Sequence, residues 1–169
     1  ASLTKQYVNI VESSGIKILD TRKTTPGLRL FEKYAVKVGG GYNHRLDLSS
    51  GLLIKDNHWV ASRDDFYKLI RDYDLELPIQ VEVDNIAQLT ELLEYRIDAI
   101  LLDNMAPEYA KKCVDIIRTK SKSTFIEISG GVTLENLSDY IIDGVDGISS
   151  GALMHQAQNQ KLKLEFMEV

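Results

Sequence analysis

Arg22, Lys23, His44, Arg45 and Lys55 are gathered between positions 22 and 55, in the strings D-T-R-K-T-T-P-G-L-R, G-G-G-Y-N-H-R and L-L-I-K-D-N-H. The 169-residue chain around them is acidic, with a formal net charge of −5, so the cluster is no by-product of a basic composition. Arginine offers a planar two-pronged fork for carboxylate or phosphate, and lysine a point charge. Such a cluster in an acidic chain suits a small polyanion and argues against nucleic acid. Lys55 ends the apolar run L-L-I, where an ammonium is costly unless it is paired or used. Two uses stand open for it, as a carboxylate-binding cation or as a Schiff-base nucleophile. Gly39-Gly40-Gly41 is longer than a helix stop requires and would let backbone N–H groups approach an anion.

A second set of groups is acidic or glycine-rich. Glu82 in V-E-V shares a strand face with Gln80 and Asp84, and Asp103 in L-L-D-N-M occupies the matching place one unit later. Facing a lumen, this pair would hold a hydrated magnesium ion, in part through water, or orient ribose hydroxyls. Ser129-Gly130-Gly131 and Ser150-Gly151-Ala152 each follow an apolar strand, where backbone N–H groups can cradle phosphate. His58 and Trp59 read as packing and capping residues, and Cys113 and His155 as structural or incidental.

The elements that must position these groups follow from periodicity. Helices are expected over 2–13, 28–38, 64–71, 86–95, 107–118 and 134–142. In the second, Leu30, Phe31, Tyr34, Ala35 and Val38 gather on one side; in the third, Phe66, Leu69 and Ile70 point inward. Strands are expected over 16–20, 52–55, 79–83, 99–102, 124–128 and 145–149, nearly all apolar, as in buried parallel sheet. Each ends in a functional-looking group, and in parallel α/β folds the C-terminal strand ends converge on one face where sites form. The expected fold is an open or incomplete parallel α/β barrel of about six to seven strands, fewer than the usual eight. Residues 1–160 make the barrel domain. Residues 161–169 (K-L-K-L-E-F-M-E-V) alternate like a half-exposed strand and are expected to pair with another domain or chain.

Composition sets the frame. A 44% hydrophobic content suits one compact domain with a real core. No apolar run approaches the roughly 18–20 residues of a membrane helix, so no membrane role is expected. One cysteine rules out an internal disulfide and a multi-cysteine metal site, and an intracellular, cytoplasmic setting is the simplest expectation. The chain opens on a helical pattern without methionine, as expected of a piece of something longer.

The strings T-R-K-T-T-P-G-L-R, E-K-Y-A-V, G-G-G-Y-N-H-R, L-I-K-D-N-H, V-E-V, L-L-D-N-M, S-G-G-V-T and G-A-L run in order from Asp20 to about His155. Together they resemble the quinolinate phosphoribosyltransferase family. The resemblance implies an open α/β-barrel domain and transfer of phosphoribosyl from phosphoribosyl pyrophosphate to quinolinate with decarboxylation, with magnesium as cofactor. It places the quinolinate carboxylates among Arg22, Lys23, His44, Arg45 and Lys55. It sets Glu82 and Asp103 toward the ribose and magnesium, and Ser129, Gly130, Gly131 and Gly151 toward the 5′-phosphate. It also implies an N-terminal domain that takes up the 161–169 strand and lends an arginine to the neighbouring subunit of a homodimer or larger homo-oligomer. Asp47 departs from the glycine many relatives carry there. Three rivals predict other chemistry: a transferase using nicotinate, a Schiff-base aldolase built on Lys55, and a non-enzymatic barrel that binds anionic nucleotides.

Overall fold

The computed structural model describes residues 1–47, 49, 51–55, 67–68, 70, 72, 77–158, 161 and 163–165. Its strands are β1 (Lys17–Leu19), β2 (Leu52–Ile54), β3 (Ile79–Val83), β4 (Ala99–Asp103), β5 (Phe125–Ser129) and β6 (Gly147–Ser149). They form one all-parallel sheet in the order β1-β6-β5-β4-β3-β2. That order is a ring opened between β1 and β2, so the expected open barrel is what forms. Tyr42 stands in the gap, with an isolated parallel bridge to Leu19.

Strict alternation gives the sheet two chemically different faces. Val81, Val83, Ile100, Leu102, Ile126, Ile128 and Ile148 point outward and are fully buried against helices. Each such side chain contributes about 1.5–3 kcal/mol of hydrophobic burial. The opposite face turns into the lumen and carries Gln80, Glu82, Asp103, Glu127, Ser129 and Ser149. The register confirms it: Glu82 lies beside Leu101, Leu101 beside Glu127, and Leu19 beside Ser149. The lumen is narrow at its lower end. A Cβ on Gly147 would come within 2.5 Å of Leu19 Cδ1 and 3.0 Å of Phe125 Cζ, so only glycine fits there.

The helices whose bounds are described are α1 (Ser2–Val11), α2 (Arg29–Val38), α3 (Ile86–Leu92), α4 (Pro107–Lys120) and α5 (Ala152–His155). Asn85 caps α3 by accepting from Gln88 N at 3.0 Å, and Pro107 opens α4 as expected. The helix expected over 134–142 is only a 3₁₀ turn, Leu137–Tyr140. Asn136 explains the shortfall. Its side chain accepts from Thr133 N and donates to Gly131 O, a local turn that competes with helix formation. Of the helix expected over 64–71, Ile70 is buried. Phe66 and Leu69, like His58 and Trp59, lie outside the described residues.

The apolar side of α2 faces out. Leu30, Phe31, Tyr34 and Val38 are 59–72% exposed, while Lys33 and Val36 face inward. The triglycine after α2 serves packing, not anion binding. Gly40 N donates to Lys37 O and Gly41 N to Val36 O, with Gly40 at φ +87°: a Schellman stop that uses both N–H groups. Gly39 and Gly41 allow close packing on α1, since a Cβ on either would meet Thr4 at 2.6 and 2.9 Å.

Candidate active site

A cavity of about 320 Å³ opens at the C-terminal ends of the strands. Of the residues singled out in the sequence, Arg22, Lys23, His44, Arg45, Lys55, Glu82, Asp103 and Ser129 line it. Gly130, Gly131 and Gly151 lie outside its lining, in the loops beyond β5 and β6. Strand alternation explains the acidic members, since Glu82 and Asp103 are inward positions of β3 and β4. The cationic members come from the ends of β1 and β2 and from the segment that follows Tyr42 in the gap.

A buried ion pair holds that segment in place. Asp20 is fully buried just beyond β1, and its carboxylate accepts from Lys33 Nζ at 2.5 Å, Asn43 Nδ2 at 2.6 Å and His44 N at 2.8 Å. Lys33 also donates to His44 O at 2.9 Å, and Asn43 Nδ2 to Lys33 O at 2.9 Å. β1, α2 and the Asn43–Arg45 segment are thereby tied to one carboxylate. This is why α2 turns Lys33 inward.

Among the described residues neither arginine forms an ion pair. Arg22 Nε and Arg45 Nε are buried and donate to no acceptor among the described residues. Among the described residues Arg45 Nη1 donates to Gly51 O, at 3.2 Å. Burial, and then the charge of Arg22, push the Arg45 guanidinium below its ordinary value. Two guanidiniums whose buried Nε groups meet no acceptor among the described residues offer charged donors to the cavity they line.

Lys55 is committed differently. Its Nζ lies 2.8 Å from Glu82 Oε2, with the Glu82 side chain 8% exposed. That is the geometry of an ion pair. Asp103 accepts from Asn104 Nδ2 at 2.6 Å. Burial raises its carboxyl above the ordinary value, against the opposing pull of Lys55 and Lys23.

Glu127 is the group the sequence reading missed. It is 1% exposed, and its Oε2 accepts from Gln80 Nε2 at 2.7 Å and faces His44 Nε2 at 3.3 Å. Burial alone would raise its carboxyl; hydrogen bonding from His44, with help from Ser149 and Gln80, brings it below the ordinary value. The signal was present, because I-E-I-S repeats the alternation of V-E-V and puts Glu127 in the lumen with Ser129.

The glycine loops have separate structural reasons. Gly130 (φ +87°) lies against Asn104, where a Cβ would come within 2.3 Å of Oδ1, and Asn104 N donates to Ser129 O at 2.9 Å. The N–H groups of Gly130, Gly131 and Gly151 nevertheless donate to no acceptor among the described residues. Asp47 Oδ1 accepts from Ser49 N at 2.9 Å in a local turn. Cys113 is buried in the core, where burial raises its thiol.

Fold and site together define an open parallel α/β barrel with a cationic wall and an acidic wall around one cavity at the C-terminal strand ends. Residues 1–165 match the family model described as "Quinolinate phosphoribosyl transferase, C-terminal domain", and the chain belongs to that family. It is 43% identical over 160 residues to the nicotinate-nucleotide pyrophosphorylase [carboxylating] of Mycobacterium leprae, covering 94% of this chain and 56% of that one. It is 38% identical over 168 residues to a probable enzyme of the same name from Bacillus subtilis, covering 98% and 57%. A solved nicotinate-nucleotide pyrophosphorylase from Ehrlichia chaffeensis superposes with a TM-score of 0.84 at 42% identity, over 93% of this chain and 57% of that one. The chain thus spans a little over half the length of these relatives.

Proposed function

We propose that this chain is the barrel domain of an enzyme that transfers phosphoribosyl from phosphoribosyl pyrophosphate to quinolinate, releasing pyrophosphate and carbon dioxide and leaving nicotinate mononucleotide. The observation that carries the reading is the pair of buried Nε donors on Arg22 and Arg45 that meet no acceptor among the described residues, which suits an acceptor with two carboxylates. The names of the relatives point the same way. In this reading Arg22, Lys23 and Arg45 hold the carboxylates and stabilise charge as one of them leaves. Lys55, ion-paired with Glu82, borders the ribose. The open N–H groups of Gly130, Gly131 and Gly151, with Ser129, take the 5′-phosphate.

Magnesium fits as a partly protein-held ion. Glu82 and Asp103 supply hard carboxylate oxygens, but no group of three or more metal-binding side chains gathers among the described residues. Most of the coordination would therefore come from pyrophosphate and water. When bound, the ion would neutralise the departing pyrophosphate.

The exposed apolar side of α2 supports a homodimer or larger homo-oligomer. The tail, where Leu164 is 86% exposed, supports pairing with an N-terminal domain. A cytoplasmic setting agrees with the single cysteine, and no described helix is long and apolar enough to cross a membrane. The test is nicotinate mononucleotide formation by the full-length protein with magnesium and phosphoribosyl pyrophosphate, offering quinolinate and nicotinate separately. Product from quinolinate alone, with kcat/KM reduced at least about thirtyfold by Arg45→Ala as for a truncated buried charge contact, is the expected result. Product from nicotinate alone would overturn the assignment.

A further inference from the structure

Glu127 has no assigned role, yet it lies under the anion site. Both nitrogens of His44 are already engaged. Nδ1 accepts from Arg45 N at 2.9 Å, so the ring proton sits on Nε2, which faces Glu127 Oε2 at 3.3 Å. A chain of contacts therefore runs from Gln80 through Glu127 and His44 to the Arg45 backbone, each member buried or nearly so. His44 was expected to bind a substrate carboxylate. It lines the cavity, but neither nitrogen is free to donate to a ligand. Retaining an ionised carboxylate in so dry a place is costly, and a neutral residue of the same size would fill the space more cheaply.

We propose that Glu127 is a positioning residue. By holding the His44 imidazole in one tautomer and orientation, it fixes the backbone from which Arg45 reaches the cavity. The role rests on the reading of Arg45 as a carboxylate-binding residue. It resembles the way outer hydrogen-bond partners orient groups that touch a ligand. A packing role alone would be indifferent to whether residue 127 can accept a hydrogen bond.

The test uses the full-length protein and two independent readouts. The first is the ¹⁵N imidazole spectrum of His44, assigned by His44→Gln. Wild type is expected to show the Nε2–H tautomer, Glu127→Gln to keep it through its amide oxygen, and Glu127→Ala to lose it. The second is steady-state kinetics. Glu127→Ala is expected to raise the quinolinate KM about tenfold, as for a lost outer partner, while the KM for phosphoribosyl pyrophosphate stays within about twofold. Glu127→Gln should recover most of that loss. Combining Glu127→Ala with His44→Ala should cost no more than the worse single change. If Glu127→Ala does not fold, Glu127→Met fills the volume without an acceptor and takes its place. An unchanged His44 spectrum, an equal rise in both KM values, or multiplicative effects in the double variant would overturn the proposal. If wild type failed to use quinolinate, the proposed function would fall while the imidazole spectrum still decided the role of Glu127.

Discussion

Lys33→Met tests the internal support of the site. The substitution nearly conserves volume and removes only the ammonium, which donates to Asp20 at 2.5 Å and to His44 O at 2.9 Å. Asp20 is left fully buried with two donors, Asn43 Nδ2 and His44 N. Hydrogen bonds involving charged groups contribute about 1.5–3 kcal/mol each, and orphaning one partner of a buried pair costs about 3–5 kcal/mol. We therefore expect Lys33→Met to destabilise the fold by about 3–5 kcal/mol, read from urea titration by circular dichroism. Because the pair is buried, the loss should be nearly the same at about 0.1 and 1 M salt, where a surface pair would be screened away. Asp20→Asn added to Lys33→Met should restore only part of the stability. Asparagine offers one acceptor oxygen, and its amide nitrogen would then face a donor, either Asn43 Nδ2 or His44 N. A loss below about 1 kcal/mol, in the range of exposed pairs, would refute the reasoning and make the pair a solvated one.

Two further expectations separate stability from function. Burial raises the Asp103 carboxyl above its value in the unfolded chain, so the folded state binds that proton more tightly. Ionising Asp103 therefore costs stability, a cost present in full above the raised value and absent below the ordinary aspartate value of 3.8. Asp103→Asn should raise the melting temperature at neutral pH, match wild type near pH 3, and lower kcat about a hundredfold; a lowered melting temperature at neutral pH would contradict it. In the triglycine, Gly40→Ala places a Cβ at φ +87° with Val8 no closer than 3.6 Å, costing about 1–2 kcal/mol. Gly39→Ala forces a Cβ to 2.6 Å from Ala1 O and Thr4 Cβ and should cost more, about 1–3 kcal/mol, because α1 must move. Thermal denaturation ranks the two, and the opposite order would show that conformation rather than packing governs that stop.

Much of this was legible because parallel sheet imposes a simple rule. Apolar strands ending in polar groups place those groups on one face, so Arg22, Lys23, Lys55, Glu82, Asp103 and Ser129 arrive together without any contact being known. What stayed hidden was set by tertiary packing. The apolar side of α2 was visible in the spacing of Leu30, Phe31, Tyr34 and Val38. Its outward direction depends on Lys33 finding Asp20, a partner 13 positions away on another element. The triglycine looked like an anion loop because nothing local shows that α1 lies within contact distance or that helix carbonyls use the N–H groups. Lys55 was readable as paired or used; that Glu82 is the partner depends on the β2–β3 register. Glu127 was missed for a lesser reason, since the alternation that exposed Glu82 applies equally to it.

The opening in the barrel is what makes the site bipolar. Pairing β1 with β2 would close the ring and leave no entry for the Asn43–Arg45 segment. Instead Tyr42 bridges Leu19 for one residue, and the chain then turns into the lumen, held by Asp20. Around the rim the cations Arg22, Lys23, Arg45 and Lys55 come from β1, the gap and β2. The carboxylates of Glu82, Asp103 and Glu127 come from β3, β4 and β5, and the Ser129 and Ser149 hydroxyls from β5 and β6. Charge sign thus follows strand order, and the Lys55–Glu82 pair at 2.8 Å is the seam where the two walls meet. A closed barrel with the same strands would keep the acidic wall and lose Arg45.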